Sequence, residues 1–143
     1  MEVKIEIVEN SSIKQHEMIR KGHLKELIKE IEKDGFINNP IIVDKNTRVI
    51  LDGHHRFNAI KFLGLALSPV YLCDYKSKNI KIGSWRKGEK VTKEMVIEAG
   101  LSGKLLKPKT SKHSIPNRPV GMRIPLKSLE GDGSREAALL CYK

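Results

Sequence analysis

The sequence predicts an α+β protein with a small mixed β-sheet and flanking helices. Residues 3–8 alternate apolar and charged side chains, which is typical of a half-buried strand. Residues 23–35 place apolar side chains at helical spacing, and two β-branched runs follow at 40–43 and 48–51. The resulting order β-α-β-β-α-β, in a chain of 143 residues, favours a layered α+β fold.

The first half of the chain supplies most of the predicted sheet. Residues 9–22 are polar and predict a loop that includes one helical turn. The helix at 23–35 has one apolar face and a natural stop at Gly35. The β-branched runs flank "DKNT", whose turn residues predict a hairpin. The helix after it has Phe57, Ile60 and Leu63 on one face and ends at Gly64.

The second half adds two strands and a third helix. Residues 68–75 predict a strand in which Pro69 marks either the start or an edge position. Residues 80–85 predict a further strand. Residues 92–100 predict a helix with Thr92 as its N-cap and Gly100 after its end.

The last part of the chain is weakly patterned. Residues 107–119 contain three prolines and no periodicity, which predicts a basic loop. We expect residues 1–129 to form a single domain, followed by a tail over 130–143 for which disorder is one interpretation.

Composition excludes several classes of protein. No apolar run approaches 18 residues, so we expect no transmembrane helix, and the charged N-terminus does not resemble a signal or transit peptide. We therefore expect a cytoplasmic protein.

Cys73 and Cys141 have no metal-ligand spacing around them, and a buried thiol at Cys73 is the simpler interpretation. The abundance of Lys, Glu and Ile suits a thermophile.

The positive charge is unevenly distributed. Residues 1–75 contain eleven basic and eleven acidic residues, so residues 76–143 carry the whole net charge of +10. Such an excess indicates an anionic partner, either a nucleotide, another phosphate or a nucleic acid, although a solvated lysine-rich surface would give the same composition.

Residues 49–60, "VILDGHHRFNAI", predict an anion site where a strand passes into a helix. The first N–H groups of a helix carry partial positive charge, and Gly53 lets an anion approach them. Arg56 adds a guanidinium, while His54 and His55 can donate hydrogen bonds or move protons. Asp52 suits a phosphate less well but can hold a magnesium ion that bridges to it.

Each of these residues also has a structural interpretation. Asp52 could be only the helix N-cap, one of the two histidines could pack against the core, and Arg56 could form a surface ion pair. We nevertheless expect a functional site, because the structural interpretation requires all five residues from Asp52 to Arg56 to be structural at once.

With these motifs in place, the sequence resembles the ParB/sulfiredoxin superfamily and, within it, the free-serine kinases. Three segments carry the resemblance: "KQHEMI" (14–19), "ILDGHHR" (50–56) and "KPKTSKH" (107–113). The family implies a ParB/sulfiredoxin-like fold and a kinase that uses ADP or ATP, with Mg²⁺, to convert L-serine to O-phosphoserine.

The resemblance also implies residue roles. Glu17 matches the general base and substrate contact, and Asp52 matches the metal- and phosphate-proximal aspartate. The phosphate-binding turn corresponds to Gly53, His54, His55 and Arg56, with His55 also counted as catalytic. The late loop that closes over nucleotide and serine corresponds to Lys109, Thr110 and His113, with Thr110 and Trp85 as substrate contacts.

The sequence departs from the serine kinases in length. Those proteins carry an inserted segment between the tryptophan region and the late loop, where this chain has only residues 86–106. The acceptor is therefore predicted as a small hydroxylated metabolite, with free L-serine the first candidate.

Three other functions share the superfamily. A partition-type DNA-binding protein fits the basic charge, but its motif is Gly-Glu-Arg-Arg rather than Asp-Gly-His-His-Arg, and no helix-turn-helix is predicted after residue 75. Sulfiredoxin chemistry needs a cysteine where His54 stands. A nuclease using Asp52, His54, His55 and a metal is the remaining alternative.

Overall fold

The computed structural model describes residues 5–131, which form eight strands, three helices and two 3₁₀ turns. In chain order the strands are β1 (Glu6–Glu9), β2 (Phe36–Ile37), β3 (Ile41–Asp44), β4 (Ile50–Asp52), β5 (Leu67–Cys73), β6 (Lys81–Ser84), β7 (Ser111–Ser114) and β8 (Ile124–Pro125). The helices are α1 (Lys21–Asp34), α2 (His54–Phe62) and α3 (Lys93–Ser102), and the 3₁₀ turns are Asn10–Ser12 and Leu126–Leu129.

A mixed four-stranded sheet organises the fold, as the sequence predicts. Its order is β1-β5-β3-β4, with β3 and β5 parallel and the two outer pairs antiparallel. Two small antiparallel pairs, β2 with β8 and β6 with β7, lie outside it. β4, the second strand of the β3–β4 hairpin, ends at Asp52, and α2 begins two residues later at His54.

The sheet is covered on both faces, because alternate residues of β3 belong to different apolar clusters. Ile41 and Val43 join a cluster with residues of α1 and α2, whereas Ile42 joins one with Val96 of α3. All three β3 side chains are fully buried. Burial on both faces explains why this stretch is continuously apolar rather than alternating.

The helix predictions are confirmed by their capping contacts. Gly35 ends α1 in the left-handed conformation, and its N–H donates to the Ile31 carbonyl. The Thr92 side chain accepts the Met95 N–H at the start of α3. α1 begins at Lys21, two residues before the predicted start. No helix among residues 5–131 is long and apolar enough to span a membrane.

Two local predictions are wrong, and one holds in only one of its alternatives. Residues 107–119 are not wholly loop, since Ser111–Ser114 form β7. β5 is not an edge strand, but Pro69 lies near its start, one residue before the registered pairing with β3 begins at Val70. Gly100 does not follow α3 but lies inside it, and Gly103 occupies the left-handed C-cap.

Two predictions on the cysteines and the tail fall partly outside the described residues. Cys73 is a free, partly buried thiol in β5. Cys141 and most of the predicted tail, residues 132–143, lie outside the described residues.

Gly100 is needed for packing rather than for helix termination. A Cβ at this position would lie 2.6 Å from Cγ2 and 2.8 Å from Cγ1 of Val49. Because α3 approaches the hairpin so closely here, a methyl group has no space unless the Val49 side chain or the backbone shifts.

We therefore expect Gly100→Ala to lower the free energy of unfolding by about 1–2 kcal/mol, since overpacking outweighs the gain in helix propensity. Gly22→Ala is the matched control, because nothing lies within 4 Å of the position that its added methyl group would occupy. Urea unfolding of both variants gives the comparison. Equal stabilities would show that the contact between α3 and Val49 is loose.

Candidate functional site

The strand-to-helix turn has the backbone geometry of an anion site. Gly53 is the N-cap of α2 with φ 106°, and an added Cβ would lie 3.4 Å from Ile41 Cα. A side chain is therefore disfavoured by the backbone conformation, since the 3.4 Å contact itself is an ordinary van der Waals distance. Gly53, not Asp52, is the N-cap, so the N-cap interpretation of Asp52 is wrong.

The two histidines of the turn are oriented by backbone donors from residues 13–20. The His16 N–H donates to His54 Nε2 at 3.1 Å, and the Arg20 N–H donates to His55 Nε2 at 2.8 Å. A nitrogen that accepts a hydrogen bond carries no proton, so each neutral ring keeps its proton on Nδ1. Burial lowers the pKa of both rings, strongly for His54, which favours this neutral form.

Residues 13–20 are themselves held between β4 and the late part of the chain. On one side the Ile50 N–H donates to the Lys14 carbonyl at 2.8 Å. On the other side the Met18 N–H donates to the Leu106 carbonyl, also at 2.8 Å. This short segment therefore joins the DGHHR turn to residues 105–111.

Glu17 is the centre of this junction. Its Oε1 accepts hydrogen bonds from the backbone N–H of Thr110 at 3.2 Å and of Ser111 at 2.8 Å. The Ser111 hydroxyl lies 2.9 Å from the same oxygen. Convergence of these donors on Oε1 fixes the carboxylate and leaves Oε2 for other partners.

A cluster of buried histidines lies behind Glu17. His16 is fully buried, with Nδ1 at the Ile50 carbonyl and Nε2 2.8 Å from the Ser111 hydroxyl. Its ring contacts those of His54 and His113 edge-on, with centroids 4.5 and 5.9 Å away. Burial lowers the pKa of His16, and burial together with His16 lowers the pKa of His113 to about 4.

Positive side chains surround the other end of the turn. The Asp52 carboxylate forms an ion pair with Arg118, from the connection between β7 and β8. Burial lowers the pKa of the half-buried Arg56 guanidinium. The negative charge of the nearby Asp52 carboxylate opposes this lowering. Arg118 thus pairs directly with this carboxylate, and Arg56 interacts with it through its charge.

Trp85 and the late lysines form a further wall. The indole is more than half exposed (57%), and the ammonium groups of Lys112 and Lys109 lie 4.6 and 5.9 Å from its ring centroid. The Trp85 backbone N–H donates to the Thr110 carbonyl at 3.2 Å, which attaches the β6–β7 pair to the Glu17 junction.

One cavity of about 390 Å³ brings most of the predicted site residues together. This volume is in the range of small-molecule sites. The predicted residues in its lining are Glu17, Asp52, Gly53, His54, His55, Arg56, Trp85 and Lys109. Residues in the lining or its support that sequence reasoning did not select are His16, His23, Ser111 and Arg118.

Two predicted residues lie behind the cavity rather than in its lining. The Thr110 hydroxyl donates to the Lys107 carbonyl at 2.7 Å, and only its backbone N–H reaches Glu17. His113 Nε2 lies 2.8 Å from the Tyr75 hydroxyl. Both residues therefore support the side chains that line the cavity.

A larger cavity of about 940 Å³ lies elsewhere, between the β3–β4 turn and α3. Its lining is mostly apolar, and the Lys93 ammonium there is occupied by the carbonyls of Tyr75 and Ser77. The smaller cavity is the better candidate because it gathers the convergent charged and polar groups.

No group of three or more His, Cys, Asp or Glu residues within 5–131 could hold a metal ion by itself. Asp52 alone fits magnesium only in the way typical of nucleotide enzymes, in which phosphate oxygens and waters supply most of the ligands.

The fold and the cavity together define an α+β protein with an anion site at a strand-to-helix turn. The chain belongs to the ParB N-terminal domain family, whose model matches residues 1–82. Beyond the match lie Trp85, Lys109 and the backbone donors to Glu17, which belong to Thr110 and Ser111.

Relatives of this chain include kinases. A ParB-like protein of Sulfolobus acidocaldarius is 38% identical over 84 residues, which are 59% of this chain and 42% of the relative. An ATP-dependent L-serine kinase of Staphylothermus marinus is 34% identical over 83 residues, 55% of this chain and 33% of the kinase. The matches therefore cover less than half the length of these relatives.

The fold is that of a free serine kinase solved in complex with AMP. The two structures align with a TM-score of 0.81 at 18% identity, over 90% of this chain and 95% of the kinase chain. The ParB/serine-kinase fold predicted from the sequence is confirmed.

Buried neutral histidines make stability depend on pH. The pKa of His113 falls from about 6.5 in the unfolded chain to about 4 in the fold. As the pH falls below 6.5, the unfolded state therefore takes up a proton before the folded state does. This group lowers the free energy of unfolding between about pH 6.5 and 4 and has no effect above that range.

We expect His113→Asn to remove this contribution. The stability lost by the variant relative to the wild type should shrink as the pH falls from about 7 to about 5, as measured by urea unfolding at each pH. A difference that stays constant over this range would show that His113 titrates normally in the folded protein.

Proposed function

We propose that this protein is a cytoplasmic kinase that transfers a phosphoryl group from ADP or ATP to the hydroxyl of free L-serine. The observation that carries the proposal is the placement of an anchored carboxylate, Glu17, in the same cavity as the Gly53–Arg56 anion site. Phosphoryl transfer needs this combination of a positioned base and a preorganised anion site. The names of the matched relatives support the same reaction.

The nucleotide phosphates are assigned to the start of α2. The helix N-terminus and the Gly53 backbone favour negative charge, and Arg56 supplies a planar donor. His54 and His55, held neutral with protons on Nδ1, add uncharged donors. Lys109 and the exposed face of Trp85 are assigned to the rest of the nucleotide.

Glu17 is assigned to the acceptor. The serine hydroxyl oxygen attacks the terminal phosphorus, the bond from that phosphorus to the leaving AMP or ADP breaks, and the hydroxyl proton passes to Glu17. Because Thr110 and Ser111 hold Oε1, the carboxylate needs no reorientation during the reaction. Thr110 thus contributes through its backbone, and His113 supports the β7 strand that carries Ser111.

Magnesium enters this proposal with the nucleotide. Asp52 is the carboxylate that would hold it, and the ion would neutralise charge on the phosphates.

Nucleic-acid binding is the second candidate, because residues 76–143 carry the whole net charge of +10. A nucleic-acid complex would weaken steeply as salt increases, since lysine and arginine contacts displace counterions from the phosphates.

Glu17→Gln tests the proposed base. The amide oxygen can still accept the Thr110 and Ser111 N–H groups, so the fold is retained, but the side chain no longer takes up a proton. We expect O-phosphoserine formation to fall by about 10²–10⁴-fold, with nucleotide affinity changed by less than about threefold. Product is measured by chromatography and nucleotide affinity by calorimetry.

Glu26→Gln is the matched control, because Glu26 lies on the exposed side of α1 and outside the cavity lining. It should leave both quantities unchanged. Turnover by Glu17→Gln close to that of the wild type would overturn the assignment of the base.

A further inference from the structure

Arg118 lines the candidate cavity, yet the roles assigned so far do not use it. It lies in the connection between β7 and β8, residues 115–123, and is separated from Asp52 by 66 positions in the chain. Its guanidinium reaches back to Asp52 and lines the cavity together with Arg56.

The backbone of this connection presents Arg118 rather than leaving it loose. Asn117, directly before it, has φ 59°, a left-handed conformation that asparagine tolerates better than most residues. Pro119, directly after it, restricts the Arg118 backbone to extended conformations. The far end is anchored where the Gly121 N–H donates to Asn39 Oδ1 at 2.9 Å.

The cavity lining carries more positive than negative side chains, which favours the binding of an anion near Asp52. Arg118 and Arg56 both act on this one carboxylate, and Lys109 adds a third cation to the lining. Glu17 is committed at Oε1 to its donors from Thr110 and Ser111. The cavity therefore keeps a positive excess around Asp52 that a phosphate group would neutralise.

The ion pair between Arg118 and Asp52 is also easy to exchange. The side chains are 34% and 49% exposed. Pairs this accessible to water contribute little to stability, so replacing the carboxylate by a phosphate oxygen costs little. A guanidinium binds phosphate and carboxylate through the same fork of donors.

We infer that Arg118 is a phosphate-binding residue, held over the cavity by Asp52, which exchanges that carboxylate for a phosphate oxygen when the nucleotide binds. The exchange leaves Asp52 to the magnesium ion that the nucleotide brings. This inference rests on the proposed nucleotide site and adds to it a residue from outside the matched family region.

Calorimetric titration of ADP and ATP, with magnesium and again with EDTA, tests the inference without relying on turnover. Arg118→Ala should weaken binding by about 10- to 100-fold in both conditions, because a charge-assisted contact to phosphate is lost. Arg118→Lys should lie between the wild type and the alanine variant, since it keeps the charge but not the fork.

Arg123→Ala is the matched control. It removes an equal charge from the same connection, but Arg123 stacks on Phe36 and does not line the cavity. Its nucleotide affinity should equal that of the wild type. An equal loss in both variants would mean that only the net charge matters and would overturn the inference.

Asp52→Asn distinguishes two roles of Arg118, that of a phosphate ligand and that of a purely structural partner of Asp52. With EDTA the variant should bind nucleotide at least as tightly as the wild type, because Arg118 is released and a repelling carboxylate is removed. With magnesium it should lose most of the gain that the ion gives the wild type. Weaker binding in EDTA would show that Asp52 only maintains the site and would contradict the exchange.

Pyrophosphate is the second probe and separates this inference from the proposed function. Pyrophosphate binding that depends on Arg118, without O-phosphoserine formation, would support the phosphate ligand while the proposed kinase activity fails. Nucleotide and pyrophosphate affinities that Arg118→Ala leaves unchanged would overturn the inference even if the kinase activity is found.

Discussion

The candidate site depends on the hydrogen bonds that converge on Glu17 Oε1. These bonds connect the segment 13–20, which lies beside the DGHHR turn, to Thr110 and Ser111, almost a hundred residues later. Without them the β6–β7 pair, with Trp85 and Lys109, would lose its polar attachment to the carboxylate. The hydrogen bonds to this one carboxylate oxygen thus connect two sides of the cavity and also hold the proposed base in position.

The buried histidines behind this junction constrain its protonation. His16 Nδ1 faces the Ile50 carbonyl, so that nitrogen carries the proton of the neutral ring, while Nε2 lies 2.8 Å from the Ser111 hydroxyl. His16 in turn gives its backbone N–H to His54. The positions of Glu17, Ser111 and the first histidine of the turn are therefore set by one continuous network, which makes them sensitive to changes in any member.

Prediction from sequence succeeds where the pattern is local. The α1 face, the β3–β4 hairpin and the caps at Gly35 and Thr92 follow from spacing and turn chemistry, and the structure has them. The position of Gly100 could not be predicted, because its role depends on Val49 in a distant hairpin. In the sequence, a glycine that ends a helix cannot be distinguished from one that allows another element to pack closely against the helix.

The sequence reasoning fails at β7 for a reason connected with the candidate site. Along this strand the more buried residues alternate with exposed ones, as a strand should, but the inward-facing residues are Ser111 and His113. Their partners are Glu17, His16 and Tyr75, so the usual hydrophobic alternation is replaced by polar groups. Conflicts between local pattern and fold of this kind are expected at functional sites. Arg118 gave no local signal at all, since its contact to Asp52 spans the chain.

The most direct test of the proposed kinase is phosphorus NMR of the purified protein with Mg²⁺ and L-serine, followed over time with ADP and, separately, with ATP. We expect a growing O-phosphoserine resonance with at least one nucleotide, accompanied by AMP from ADP or ADP from ATP. Nucleotide resonances unperturbed by the protein, with no phosphoserine from either donor, would contradict the proposal.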